Sequence, residues 1–165
     1  MKSTNETLVF MSEYKILAGE GVLKTVGLGS CVGIALYDSF TRIGGLAHIL
    51  LPSATQGRNI NKKKPGTYAD IAIKSLIHDM EKFGANTSRL RAKIAGGGEM
   101  FGTFGNLPIN VGSMNVSSVR TILRNKGIPL TGEDIGGNKG RTMRLDVSNG
   151  LVYVLRVGDE REIEI

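Results

Sequence analysis

The stretch from Thr25 to Pro52 constrains this chain more than any other. Val32–Tyr37 and Ile43–Leu51 are apolar runs that read as strands. The tetrad Asp38-Ser39-Phe40-Thr41 between them suits a hairpin loop built on a type I turn. Set into these runs are the only cysteine, Cys31, and one of the two histidines, His48. An apolar strand has no structural need of an imidazole. If Tyr37 pairs with Arg42, His48 falls directly opposite Cys31, with Cβ atoms about 4.5–5.5 Å apart. A slip of one residue would turn the imidazole to the other face. A thiol beside an imidazole is the nucleophile and base of a cysteine hydrolase.

The residues before the cysteine fit that role. Gly27 and Gly29 permit backbone angles that other residues avoid, and they place no side chain over the thiol. A strand ending in Gly-Leu-Gly-Ser-Cys can present Cys31 at a tight turn, with backbone N–H groups around Gly29 and Ser30 free to hold an oxyanion. Thr25, on the incoming strand, is a candidate for orienting the imidazole, since such sites usually need a third polar group. Taken alone, a buried cysteine is usually an inert small hydrophobe. A lone strand histidine is more often a satisfied core residue. The pairing of the two, behind a glycine-rich turn, is what makes them catalytic candidates.

At 165 residues, with 41% hydrophobic and 22% charged, the chain is expected to form one soluble domain spanning 1–165. The net charge of +6 raises nucleic acid, an anionic membrane or an acidic protein as partners. The tight basic cluster is Lys62-Lys63-Lys64, with Arg58 nearby. No aromatic-studded basic stripe accompanies it, so nucleic acid is not expected. The default reading is a solvated loop; a docking surface for an acidic partner is the alternative. A single cysteine excludes an internal disulfide framework and a multi-cysteine zinc site. The N-terminus lacks the apolar core of a signal peptide, and no run approaches about 18 apolar residues. A cytoplasmic protein without membrane insertion is expected.

Around the central hairpin, residues 8–17 hold a short strand, and Val22–Val26 form the strand leading to Cys31. Ser53–Gly66 is polar and irregular and could wall or cover the site. Thr67-Tyr68-Ala69-Asp70 resembles a capping box opening a helix over Tyr68–Phe83. Its buried face would carry Ala69, Ala72, Ile73, Leu76, Met80 and Phe83, with His78 on the exposed face. A strand over Leu90–Ala95 runs into Gly96-Gly97-Gly98, which matches neither a P-loop nor a Rossmann fingerprint and reads as close backbone packing. A second helix is expected over Gly112–Lys126, with Val116, Val119, Ile122 and Leu123 as its core stripe. Ile128-Pro129-Leu130 opens another strand. The glycine loop Gly136–Arg141 could bind an anion through Lys139 and Arg141. Ser148-Asn149-Gly150 signals a closing hairpin, and the charged tail 159–165 is expected to fray.

Several of these blocks together resemble the chemoreceptor glutamine deamidase family (CheD). They are Thr25-Val26-Gly27-Leu28-Gly29-Ser30-Cys31-Val32, His48-Ile49-Leu50-Leu51-Pro52, Ala95-Gly96-Gly97-Gly98-Glu99-Met100-Phe101, Ile109-Asn110-Val111-Gly112 with Asn115, and Asp134–Arg141. The resemblance implies a mixed α/β (α+β) domain of cysteine-hydrolase type, with a β-sandwich-like core and flanking helices. It implies a Cys–His–Thr triad on Cys31, His48 and Thr25, with neither metal nor organic cofactor. The implied substrates are glutamine side chains on the cytoplasmic helices of methyl-accepting chemotaxis receptors, and a CheC-type chemotaxis phosphatase is an implied partner. Two other readings stand beside it: a module that binds receptor or phosphatase with little catalysis, and a cysteine hydrolase acting on another amide.

Overall fold

A computed structural model of the chain describes residues 5–54, 61, 63–100, 103, 104, 107, 108 and 110–165. The strands, numbered in chain order, make two five-stranded sheets. The first runs β1 (Glu6–Leu8), β3 (Val22–Leu28), β10 (Arg141–Asp146), β11 (Leu151–Arg156) and β12 (Ile163–Glu164). The second runs β2 (Tyr14–Ala18), β5 (Ile43–Ile49), β4 (Val32–Asp38), β6 (Arg91–Gly96) and β9 (Leu130–Ile135). A small pair, β7 (Thr103–Phe104) and β8 (Leu107–Pro108), stands apart from both. Among the described residues, two α-helices, α1 (Ala69–Lys82) and α2 (Val111–Asn125), and a short 3-10 helix over Thr87–Arg89 complete the fold.

The central strands β4 and β5 are buried on both faces, which is why they read as nearly continuous apolar runs. Val32, Ile34 and Leu36 of β4 pack with Ile73, Leu76 and Met80 of α1 and with Val116, Val119 and Leu123 of α2. On the other face, Cys31 and Ala35 join Leu23 of β3, Met143 and Leu145 of β10, and Val152 and Val154 of β11. The result is a two-sheet sandwich with helices covering the outer face of the second sheet. This is the mixed α/β architecture expected from the sequence, and it leaves the inter-sheet space beside Cys31 as the position of the candidate site.

Local departures from expectation have physical causes. Thr67 does not cap α1: Tyr68 occupies the N-cap without a side-chain bond, and Asp70 accepts from the Ala54 N–H at 3.1 Å instead. Phe83 is 63% exposed, because the chain leaves the helix there, and Ile77 joins the buried face. His78 is exposed, as its helical position requires. The tail does not fray. β12 pairs with β11, the Ile165 N–H donates to Val152 O, and Arg144 holds Glu162 through two guanidinium nitrogens. In the Gly136–Arg141 loop, which could have offered its cations to an anion, Arg141 is buried against Asp134, Gly136 O and Lys139 O, while Lys139 pairs with Asp159. Burial disfavours the Asp134 carboxylate, but Arg156 and Arg141 outweigh it and hold its pKa below the ordinary value. These cations are already committed within the protein.

Candidate active site

The approach to Cys31 begins with a bulge. Thr25 pairs with Met143 and Leu28 with Arg141, so β3 carries one residue more than β10 over this span. Gly27 absorbs it at φ +75°, a conformation that favours glycine. The chain then turns through Gly29-Ser30-Cys31, and three backbone contacts fix the turn. Gly29 N–H donates to Gly27 O at 3.1 Å, Gly98 N–H to Gly29 O at 2.8 Å, and Gly97 N–H to Cys31 O at 2.8 Å. Gly96 has φ +108°, and a Cβ there would collide with the Cys31 carbonyl oxygen. The glycine run is therefore close backbone packing beneath the Cys31 turn, as its sequence suggested. Gly29 itself is not left open, because Met100 lies against it, with Cγ 2.9 Å from where a Cβ would stand.

The register of the hairpin differs from the expected one. His48 pairs with Gly33, not Cys31, and Asp38 pairs with Ile43, so the loop is Ser39–Arg42. The sequence places Asp38 first in the loop, yet its side chain is fully buried at the end of β4. Burial opposes its ionisation, but bonds from Arg89 and from the Asn86, Phe40 and Thr41 N–H groups prevail, and its pKa lies well below the usual carboxylate range. The change moves the partner of His48 by two residues along β4, which preserves its face. Cys31 and His48 thus remain on the inter-sheet side as diagonal neighbours rather than direct ones.

Thr25 reaches His48 from the opposite sheet. Its Oγ1 lies 2.8 Å from His48 Nδ1 and donates to the Val9 carbonyl oxygen at 2.7 Å. A threonine hydroxyl has one hydrogen, and a carbonyl can only accept. The hydrogen therefore goes to Val9, the Thr25 lone pair faces Nδ1, and Nδ1 must carry the ring proton. That leaves the Nε2 lone pair unprotonated, and Nε2 is buried with no partner among the described residues. The His48 backbone is fixed as well, since its N–H donates to Glu13 O at 2.9 Å and its carbonyl accepts from Ser12 N–H at 3.0 Å. The segment 9–13 thus secures both Thr25 and His48, a role no side chain in it announces.

Burial governs the electrostatics. His48 is 2% exposed and its pKa is lowered to about 4 by loss of hydration. Cys31 is 5% exposed; burial pushes its thiol pKa up, and its own backbone N–H offsets part of the rise by facing the sulfur. At neutral pH both groups rest uncharged: a thiol with its proton and an imidazole with a free lone pair. Among the described residues the Ser30 N–H has no partner and the Cys31 N–H faces only its own sulfur, whereas the Gly29 N–H is engaged with Gly27. Ser30 and Cys31 are thus the available donors for an oxyanion, and Gly29 supports the loop through its carbonyl. One further side chain takes part in the loop: Asn115 of α2 donates to Ser30 O at 2.9 Å and to Leu50 O at 3.0 Å.

The segment expected to wall the site is described only at its ends. Arg58 and Lys62 lie outside the described residues, Lys63 and Lys64 are exposed, and Gly66 N–H donates to Ser12 O beside His48. Among the described residues, no group of three or more His, Cys, Asp or Glu is placed to hold a metal ion. None of the described helices is long and apolar enough to cross a membrane.

A thiol, a tautomer-fixed imidazole and its hydroxyl partner between two sheets form an arrangement able to carry out acyl transfer at an amide. The chain belongs to the CheD family: residues 50–156 match the family described as CheD chemotactic sensory transduction. It is 51% identical over 137 residues to the probable chemoreceptor glutamine deamidase CheD of Clostridium kluyveri, covering 82% of this chain and 83% of that one. It is 40% identical over 163 residues to the corresponding protein of Desulforamulus reducens, covering 98% and 97%. To the chemoreceptor glutamine deamidase CheD of Thermotoga maritima it is 39% identical over 158 residues, covering 96% of each. Among solved structures it is similar to the Bacillus licheniformis hypothetical protein YfiH, with TM-score 0.42 and 20% identity over 71% of this chain. The matched region spans 47% of that protein, and this distant likeness adds nothing to the fold described above.

Proposed function

We propose that this protein hydrolyses glutamine side-chain amides to glutamate on chemoreceptors, with Cys31 as nucleophile, His48 as base and acid, and Thr25 as the residue that orients His48. The family membership supports the reaction and the substrate. The observation that carries the residue assignment is the Val9–Thr25–His48 chain, which leaves an unpartnered Nε2 lone pair on the face that holds Cys31. In the reaction, Nε2 takes the thiol proton as Sγ bonds to the amide carbon, and the carbonyl π electrons move to oxygen. The Cys31 and Ser30 N–H groups receive that oxyanion. On collapse, the C–N bond breaks and His48 returns the proton to departing ammonia, leaving a thioester. Water then loses a proton to His48 as it attacks. The C–S bond breaks, the sulfur regains its proton and glutamate is released.

On this reading the whole chain, 1–165, works as one deamidase domain in the cytoplasm, where the receptor helices are accessible. A CheC-type phosphatase is a proposed second partner. The test is to incubate the protein with receptor cytoplasmic fragments and to map Gln-to-Glu conversion by mass spectrometry, with Cys31→Ala as control. Conversion by the wild type and none by Cys31→Ala is the expected result. Receptor binding without conversion would favour a binding module instead.

A further inference from the structure

We propose that Asn115 is a positioning residue for this reaction: it locks the Ser30–Cys31 peptide so that the Cys31 N–H serves as an oxyanion donor. The inference rests on the function proposed above. Asn115 sits on α2, fully buried, on the helix side of the second sheet, whereas Cys31 belongs to the inter-sheet core. Its Nδ2 donates to two carbonyls, Ser30 O at 2.9 Å and Leu50 O at 3.0 Å. One belongs to the residue before the nucleophile and the other to the second residue after His48. The opposite amide orientation would set Oδ1 against two carbonyl oxygens, so the acceptors themselves dictate which end faces them.

A trans peptide is planar, with its C=O and N–H pointing in opposite directions. Holding Ser30 C=O toward Asn115 therefore directs the Cys31 N–H away from Asn115. Among the described residues that N–H has no backbone acceptor and faces only the Cys31 sulfur, on the side where the oxyanion would form. The same tether fixes the spacing between the Cys31 turn and the chain leaving His48. A second observation sets Asn115 apart from ordinary core packing: its Oδ1 is buried and has no partner among the described residues. A leucine would fill similar space without stranding an acceptor. What the amide adds is the double tether.

The test is Asn115→Leu in the full chain, read by deamidation kinetics on receptor fragment, by the rate of Cys31 alkylation with iodoacetamide, and by thermal melting. Alkylation displaces iodide and forms no oxyanion, so it reports thiol activation by His48 but not the donor. We expect kcat to fall roughly 10–100-fold, with KM within about twofold and alkylation within about threefold of wild type, since losing a whole oxyanion donor costs about 10²–10³. Asn115→Ser, too short to span both carbonyls, should show the same split and covers the case in which the leucine variant does not fold. Wild-type kcat in a folded variant, or kcat and alkylation falling together, would overturn the positioning role while leaving the deamidase reading intact. Absence of conversion by wild-type protein would remove the reading itself.

Discussion

Thr25 and His48 stand in different sheets, yet their side chains meet at 2.8 Å, and the Thr25 hydrogen is already committed to the Val9 carbonyl. The contact therefore has a direction, since it can hold only the Nδ1-protonated ring. Thr25→Val keeps the β-branched shape but frees the ring to adopt the other tautomer, which places the proton where, on the proposed mechanism, His48 must accept one. Turnover should fall about 10²–10³-fold, somewhat less than the loss from a wrong tautomer in a serine protease triad. The buried Val9 carbonyl also loses its donor, so stability should fall by about 1–3 kcal/mol. Thr25→Ser keeps the hydroxyl and should retain most of the turnover; equal turnover in Thr25→Val and wild type would show that the ring needs no such partner.

His48 should also mark the acid limit of the fold. Its pKa is about 4 in the folded protein, against 6.5 as the ordinary value. Between those values the unfolded chain binds a proton that the native state excludes, so lowering the pH favours unfolding. The contribution is intact above about 6.5 and is lost as pH falls through about 4, amounting to about 3 kcal/mol. Urea melts of wild type and His48→Gln across pH 4–7 isolate it, because carboxylates such as Asp38 and Asp134 are common to both. The wild type should lose about 3 kcal/mol more than the variant over that range. Parallel curves would mean that His48 is not desolvated in solution.

The strands that frame the site were legible because β4 and β5, buried on two faces, leave an unbroken apolar record. Cys31 and His48 were legible because their chemistry is out of place in such a record. Their register was not, because it depends on Asp38 meeting Arg89, a partner 51 residues away that makes a buried carboxylate tolerable. The roles of Val9 and Asn115 are illegible for a related reason. A carbonyl belongs to every residue, and a helical asparagine looks like surface until the fold brings Ser30 O and Leu50 O to it. The tail's order is not legible because its charges hide Ile165, which packs on the inter-sheet core only once β11 is in place.

The glycine beneath Cys31 gives a structural test. Gly96 combines φ +108° with a carbonyl oxygen of Cys31 where its Cβ would lie. Gly96→Ala must push the Cys31 backbone aside, since neither constraint involves a side chain that could swing away. Stability should drop by roughly 1–3 kcal/mol. Deamidation should fall by about 10²-fold at a temperature where the variant is fully folded, as expected for a displacement near 1 Å at a reacting atom. Gly136, with φ +77° and nothing within 4 Å of its would-be Cβ, is the control. Gly136→Ala carries only the backbone strain and should keep its activity; a similar loss in both variants would show that the Cys31 contact is not what matters.

The resting charge state of Cys31 and His48 separates two ways of activating a thiol. A preformed thiolate–imidazolium pair depresses the cysteine pKa, and alkylation then stays fast from mildly acidic pH upward. Here burial raises the thiol pKa and lowers that of the imidazole, which favours the neutral pair at rest, and on the proposed mechanism proton transfer then accompanies attack. Iodoacetamide modification of the folded protein should therefore climb through pH 7–9, with an apparent pKa above the roughly 8.5 of a free cysteine. Unfolding in urea should bring that value down, because water again solvates the thiolate. His48→Ala should slow the reaction at pH 7, where the imidazole assists removal of the proton. The difference should narrow as hydroxide takes over that task at higher pH. A flat, fast profile down to about pH 5 would establish the ion pair instead.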